Sequence, residues 1–152
     1  MFISVFSQCS SVCYCFISMN TEKKAKLISR FTEEVMTSDD LRLLLSKNEK
    51  LRHYIGFEIS GKIHLGTGLM CLQKVKDFHD AGISCNIFLA DWHTWINDKL
   101  GGHKEDIKKI AVGYFKEGLS ASYACLGGNP NDLTFVLASD LYKKIASIGK
   151  QF

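Results

Sequence analysis

His64 is the residue of this chain whose setting best suits chemistry. It lies in the run Tyr54-Ile-Gly-Phe-Glu-Ile-Ser-Gly-Lys-Ile-His-Leu-Gly-Thr67, where a β-favouring, aromatic stretch gives way to a glycine-bearing turn and then, near Thr67, to an amphipathic segment. At such a strand-to-helix junction the first backbone N–H groups of the helix lack intrahelical partners, and their dipoles favour an anion such as a triphosphate. Gly66 lets a ligand come close. His64 adds a donor to phosphate oxygens, most effective where negative charge grows during displacement at an α-phosphate. A histidine at a strand-to-helix corner also serves as filler; the pattern around His64 favours the phosphate role.

Other residues of the region have two readings each. Gly56 permits close approach of a substrate, or it marks a bulge in the strand. Glu58 attracts a ligand ammonium group or buttresses the loop. Asp91 ends an apolar run and either faces polar groups of a ligand or caps the next helix, with the cap preferred. Trp92, His93 and Trp95 are expected to shape the wall. His79, His93 and His103 lack the spacing of metal ligands, and no metal site is expected. Gly127-Gly128 follows no strand directly and reads as a surface loop rather than a phosphate cradle.

These side chains need a scaffold, and the chain alternates strand and helix. Lys23 to Glu34 has helical spacing in Ala25, Leu27, Ile28 and Phe31, and Thr37-Ser-Asp-Asp40 offers caps for a second helix through Leu41–Leu45. Tyr54 to Glu58 is the first strand. Leu69, Leu72, Val75 and Phe78 outline a helix that stops at Ala81-Gly82. Cys85 to Ala90 reads as a central parallel strand covered on both faces, Glu105 to Ser122 as an amphipathic helix, and Leu133 to Ala138 as a third strand. Right-handed crossovers would join these into the first half of a doubly wound α/β sheet, with ligands at the strands' C-terminal ends. Tyr54–Glu58, Asp91–His93 and Ser139-Asp140 occupy such ends and are expected to share one cleft.

With 152 residues, 46% hydrophobic, 23% charged and a net charge of +3, the composition is that of an ordinary globular domain. The basic residues are interspersed with acidic ones, so charge alone does not point to nucleic acid. Residues 1–18 are apolar, serine-rich and uncharged, and fit neither a secretory signal nor a membrane span. Met19 is expected to be the natural start, with the leader a gene-model extension. Cys71, Cys85 and Cys125 lack Cys-x-x-Cys spacing and read as reduced cysteines of a cytoplasmic protein.

The run around His64 resembles the signature of class I aminoacyl-tRNA synthetases, with His64-Leu65-Gly66-Thr67 in place of the usual His-Ile-Gly-His. The Tyr-Ile-Gly-Phe-Glu lead-in, Phe88-Leu-Ala-Asp-Trp-His93 and Leu137-Ala-Ser-Asp140 are similar, in order, to the archaeal and eukaryotic branch of tyrosyl-tRNA synthetases. The resemblance spans Ser38 to Tyr142. It implies a Rossmann-like nucleotide-binding fold preceded by N-terminal helices, divided as leader (1–18), helical segment (19–50) and partial catalytic domain (51–152). Two departures stand out: Thr67 replaces the second signature histidine, and Ile59 a proline common before Ser-Gly. Threonine still donates a hydrogen bond but carries no charge.

The resemblance implies a two-step reaction. L-tyrosine attacks the α-phosphate of ATP, with Mg2+ bridging phosphate oxygens, and the tyrosyl group then passes to tRNA(Tyr). His64 and Thr67 would be catalytic; His64, Gly66 and Thr67 would bind ATP; Tyr54, matching the tyrosine that contacts the substrate phenol, would bind substrate with Gly56, Glu58 and Asp91. Taken alone, Tyr54 reads more readily as a strand aromatic. A cytoplasmic homodimer at full length, without membrane attachment, is implied. Lys143-Lys-Ile-Ala-Ser147 is superficially similar to the family's lysine-rich second signature but comes too early, and reads as an ordinary helix. The chain ends before the family's later strands and that loop, so it is expected to be an N-terminal fragment unable to aminoacylate alone. Two other classes are carried forward: a class I nucleotidylyltransferase, and a noncatalytic synthetase-derived binding module. Within the synthetases, a tryptophanyl enzyme is the relative to exclude.

Overall fold

The computed structural model describes residues 19–47 and 50–148; the leader over residues 1–18 lies outside them. Asn20 starts α1 (Thr21–Ser29) by accepting a hydrogen bond from the Lys23 N–H at 2.9 Å. Thr37 starts α2 (Ser38–Ser46) by accepting from the Asp40 N–H, as its cap sequence predicts. The helix expected through Glu34 is shorter, and Phe31 does not join its apolar face: Phe31 has φ of 57° and is 86% exposed. The cause is tertiary. Arg30 leaves helical geometry to pair with buried Asp77, while Lys74 donates to the carbonyls of Ile28 and Arg30 and so satisfies the end of α1.

Asp77 belongs to α3 (Cys71–Asp80), which ends where expected, with Gly82 at φ of 83° and the Ile83 N–H donating to the Phe78 carbonyl. Ala25, Ile28 and Leu45 of the two N-terminal helices pack with Ala81 and Ile83 into a small core. The helical segment is thereby fastened to the C-terminal end of α3.

The sheet runs β1 (Arg52–Phe57), β2 (Ser84–Leu89), β3 (Thr134–Leu137) in that order, all parallel. Alternation along each strand sorts its residues between two faces. Ile55, Phe57, Ile87, Leu89, Phe135 and Leu137 meet Leu72 and Val75 of α3 and Leu119 and Tyr123 of α6 (Lys116–Cys125) in the main core. The other face carries Tyr54 and Gly56, in register with Asn86 and Phe88 and through them with Thr134 and Val136. β2 is central, but its residues alternate between buried and half-buried, so the expectation of two covered faces is corrected: among the described residues helices pack the main core on one face only.

The long helix expected over Glu105–Ser122 is a continuous helical run, α5 (Lys104–Ile110) and α6, interrupted by a π turn at Ala111–Phe115. A second π turn, Gly66–Met70, opens α3. α4 (Asp91–Ile96) follows β2 at once, and α7 (Ala138–Ile148) follows β3, taking over Ala138, which was expected to close the strand. Gly127 and Gly128 finish α6: their N–H groups donate to the carbonyls of Ala124 and Tyr123 at 2.9 and 3.0 Å, with Gly127 at φ of 78°. They cap a helix, and the phosphate-cradle reading is set aside.

Candidate functional site

The segment between β1 and α3 is held at several points. The buried Ile59 N–H donates to Thr94 Oγ1 in α4 at 2.9 Å, and the Ile63 N–H donates to Tyr114 Oη at 3.0 Å. Tyr114 sits in the π turn of the α5–α6 run, consistent with the tendency of such turns to occur at functional places. The Ile63 side chain wedges between two glycines: a Cβ on Gly118 would come within 2.6 Å of its Cδ1, and one on Gly68 within 3.1 Å of its Cγ2. Both positions require glycine for this close approach.

His64 follows directly. Its carbonyl accepts from the Gly68 N–H at 2.7 Å, so the helix starts here and the N–H groups of Leu65, Gly66 and Thr67 precede the first intrahelical donor. Unpartnered N–H groups at a helix start favour an anion. The ring lies against Gly66, where a Cβ would meet Cε1 at 3.1 Å and Nδ1 at 3.2 Å. Thr67 Oγ1 is 3.2 Å from His64 Nε2.

Tyr54, 74% exposed, and Gly56 lie on the same face of the sheet, in the strand that leads into this turn. Pairing is one-to-one along all of β1, so Gly56 marks no bulge. A Cβ there would meet Phe88 at an ordinary 3.8 Å, which leaves the space in front of the strand as the glycine's distinctive contribution. Glu58 Oε1 accepts from Asn97 Nδ2 at 2.7 Å, a contact that braces the turn against the end of α4.

Asp91 is buried, and Oδ1 accepts from the N–H groups of Trp92 and Ser139, each at 3.0 Å. The residue at the cap position of α4 is Ala90, so Asp91 acts less as that helix's cap than as a tie between the ends of β2 and β3. With Trp92, Trp95, Lys104 and Ser139 it lines a cavity of about 230 Å³, where the Lys104 ammonium stands 3.7 Å from the centre of the Trp95 ring. Of the segments expected to share one cleft, Asp91 and Ser139 are joined directly by the hydrogen bond to Asp91 Oδ1, and His64 pairs separately with Thr67. No hydrogen bond or ion pair among the described residues links the two pairs.

Thr94, Tyr114, Ile63, Gly68 and Gly118 were not singled out by sequence reasoning. Their partners are distant in the chain, and nothing in local composition marks them. Among the described residues no group of three or more His, Cys, Asp or Glu side chains is arranged to hold a metal ion. No helix among them is long and apolar enough to cross a membrane.

Residues 46–149 match the family described as tRNA synthetases class I (W and Y). Tyrosine--tRNA ligase of Thermococcus sibiricus is 58% identical over 127 residues, which are 83% of this chain and 34% of that protein. Tyrosyl-tRNA synthetase of Pyrococcus horikoshii, solved with L-tyrosine, superposes with a TM-score of 0.77 at 48% identity, covering 88% of this chain and 38% of the other. The Leishmania major tyrosyl-tRNA synthetase bound to tyrosinol gives a TM-score of 0.74 at 31% identity, covering 86% of this chain and 19% of that one. The chain thus spans about a third of the length of the curated relatives it matches.

Proposed function

We propose that this chain, which belongs to the class I tRNA synthetases of the tryptophan and tyrosine group, supplies the nucleotide-binding part of a tyrosine--tRNA ligase. The observation that carries the reading is that His64 stands at a helix start, its ring against Gly66, in the turn that leaves the strand bearing Tyr54. The relatives' names direct it to tyrosine.

In this reading the tyrosine carboxylate attacks the α-phosphate of ATP, pyrophosphate leaves, and tyrosyl-adenylate then transfers its acyl group to the terminal ribose of tRNA(Tyr). The protein supplies alignment and charge stabilisation. His64 donates to phosphate oxygens as charge builds, Gly66 admits the nucleotide, and Thr67 supports His64. Tyr54 meets the substrate phenol and Gly56 gives it room. Glu58 bears on the amino acid's ammonium through the oxygen that Asn97 leaves free, and Asp91 acts through Oδ2, since Oδ1 is committed to backbone N–H groups. Among the described residues no group of side chains is arranged to hold Mg2+, which would enter with ATP as part of the substrate. The full-length protein is read as a cytoplasmic homodimer.

A chimera tests this, with Ser38–Phe152 replacing the matching part of the Thermococcus sibiricus ligase. Tyrosine-dependent ATP–pyrophosphate exchange is expected, falling by about a hundredfold or more in His64→Ala. Exchange driven by tryptophan and not tyrosine would move the assignment to the tryptophan branch. Exchange unaffected by His64→Ala would remove that residue from the site.

A further inference from the structure

We infer that Tyr114 is a positioning residue for the phosphate step: its hydroxyl, carried on one stripe of the α5–α6 run, fixes the backbone that presents His64. The inference rests on the reading of His64 as a phosphate contact and deepens it.

The stripe follows from helical spacing. Ile107, Ala111, Phe115, Leu119 and Tyr123 recur every fourth residue along the run, and all are buried. Tyr114, Gly118 and Ser122 each precede one of them, so they lie in line along the neighbouring edge of the helix. All three meet the segment between β1 and α3. Tyr114 Oη accepts from the Ile63 N–H at 3.0 Å. A Cβ on Gly118 would come within 2.6 Å of Ile63 Cδ1, and one on Gly68 within 2.9 Å of Ser122 Oγ. The Ser122 hydroxyl is itself fixed, donating to the Gly118 carbonyl at 2.8 Å.

The bond between Ile63 and Tyr114 has one possible direction, because a backbone N–H can only donate. One residue on, the His64 carbonyl accepts from the Gly68 N–H at 2.7 Å. The unit Ile63-His64 is therefore tied at its first N–H and at its last carbonyl, with the Ile63 side chain seated between Gly68 and Gly118. Just upstream, a Cβ on Gly61 would meet nothing within 4 Å. The hold on the histidine thus begins at Ile63.

The Tyr114 bond is exposed, so water replaces it when it is broken and its worth to folding is small. Its worth to His64 is larger, because a small displacement of a group that meets the reacting phosphate costs far more in rate than one exposed hydrogen bond does in stability. The π turn carries Tyr114 towards Ile63 while Phe115, the next residue, stays in the main core. The phenol ring stands edge-on to Phe115, with ring centres 5.8 Å apart, so its place is set from the core side.

The test is a double-mutant cycle in the chimera, read as tyrosine-dependent ATP–pyrophosphate exchange. Tyr114→Phe keeps the ring and deletes the hydroxyl. It is expected to lower exchange about tenfold in the parent, with an unchanged KM for tyrosine and an unchanged urea midpoint, and to lower it no further in the His64→Ala background. In the 152-residue chain the Ile63 amide should exchange with solvent about tenfold faster in Tyr114→Phe. An equal fall in both backgrounds would mean that Tyr114 acts independently of His64, and overturns the inference. So does a Tyr114→Phe chimera with parental activity beside an impaired His64→Ala. A fully active His64→Ala chimera overturns instead the phosphate role of His64 on which the inference rests.

Discussion

The backbone N–H of Ile59 donates to Thr94 Oγ1 at 2.9 Å, and the Thr94 hydroxyl in turn donates to the Ala90 carbonyl at 3.0 Å. Both residues are fully buried, so this chain of bonds fixes the exit of β1 against the start of α4. The position of Ile59, where a proline is common in the resembled family, here uses the N–H that proline lacks.

Thr94→Val keeps the volume of the side chain and deletes its hydroxyl, leaving the Ile59 N–H buried without a partner. The expected cost is about 1–3 kcal/mol, the penalty for an unmet buried donor. Thr94→Ser should recover most of it. Urea unfolding of the variants measures the difference, and a neutral Thr94→Val would mean that the turn is held by other contacts.

Gly66→Ala separates stability from function. A methyl group there meets only the imidazole of an exposed side chain, which can swing aside, so folding free energy should change by less than about 1 kcal/mol. His64 cannot keep its place, however, and ATP–pyrophosphate exchange by the chimera should fall at least tenfold. Gly68→Ala behaves oppositely: its Cβ would stand 2.9 Å from Ser122 Oγ and 3.1 Å from Ile63 Cγ2 in a packed site, with a stability loss of about 1–3 kcal/mol.

The order of strands and helices was legible because each strand is an apolar run bounded by helical spacing or glycine, and Gly82 and Thr37 announced their caps by local chemistry. Phe31 was misread as a helical apolar residue because what ends α1 is the pull of Asp77, 47 positions from Arg30. The same applies at the site. His64, Gly66 and Thr67 are adjacent in sequence and could be read together, whereas Thr94 and Tyr114 bond to the turn from 35 and 51 residues away. The π turn that brings Tyr114 into place is a one-residue change of helical phase, too small to show in hydrophobic periodicity.

His79 and His53 should make stability fall as pH drops below neutrality. The Cys85 N–H donates to His79 Nε2 at 3.2 Å, so the proton of the neutral ring resides on Nδ1, 2.5 Å from Tyr123 Oη. Burial holds His79 below the ordinary histidine range, with Lys76 lowering it further and Asp132 and Asp80 opposing. His53, stacked on Phe78 and in contact with Cys85 Sγ, is also lowered, first by burial and then by His79. Cys85 is pushed up to about 11 and Tyr123 to about 12, so neither ionises near neutrality. The unfolded chain takes up protons from about pH 6.5 downward while the native rings resist, so stability present above that pH is lost towards the lower native values, at most about 1.4 kcal/mol per pH unit per histidine. Urea unfolding between neutral and mildly acidic pH checks this, and His79→Gln should flatten the slope.

Asp77 governs a different pH range. Burial tends to raise its pKa, yet hydrogen bonds from Arg30, Gln73 and Lys74, with the charge of Lys74, outweigh that and hold it below the usual carboxylate value. Its contribution is therefore present above about pH 4 and lost as pH falls through the native value. Asp77→Ala should cost about 2–3 kcal/mol, less than for a fully enclosed pair because Arg30 is partly exposed and can regain water. The readout is selective: residues around the C-terminal end of α1 should lose hydrogen-exchange protection before those of β2.

Tyr54→Phe tests the amino-acid assignment. The side chain is 74% exposed on the open sheet face, so removing its hydroxyl should leave unfolding free energy within about 0.5 kcal/mol of wild type. If that hydroxyl faces the substrate phenol, its loss leaves one polar group of bound tyrosine without a partner, while bound phenylalanine loses nothing. The chimera's preference for tyrosine over phenylalanine in pyrophosphate exchange should then narrow by about ten- to a hundredfold, the worth of one buried hydrogen bond. An equal fall in rate for both amino acids would instead make Tyr54 part of the general shape of the pocket, and discrimination would have to come from other residues facing the phenol.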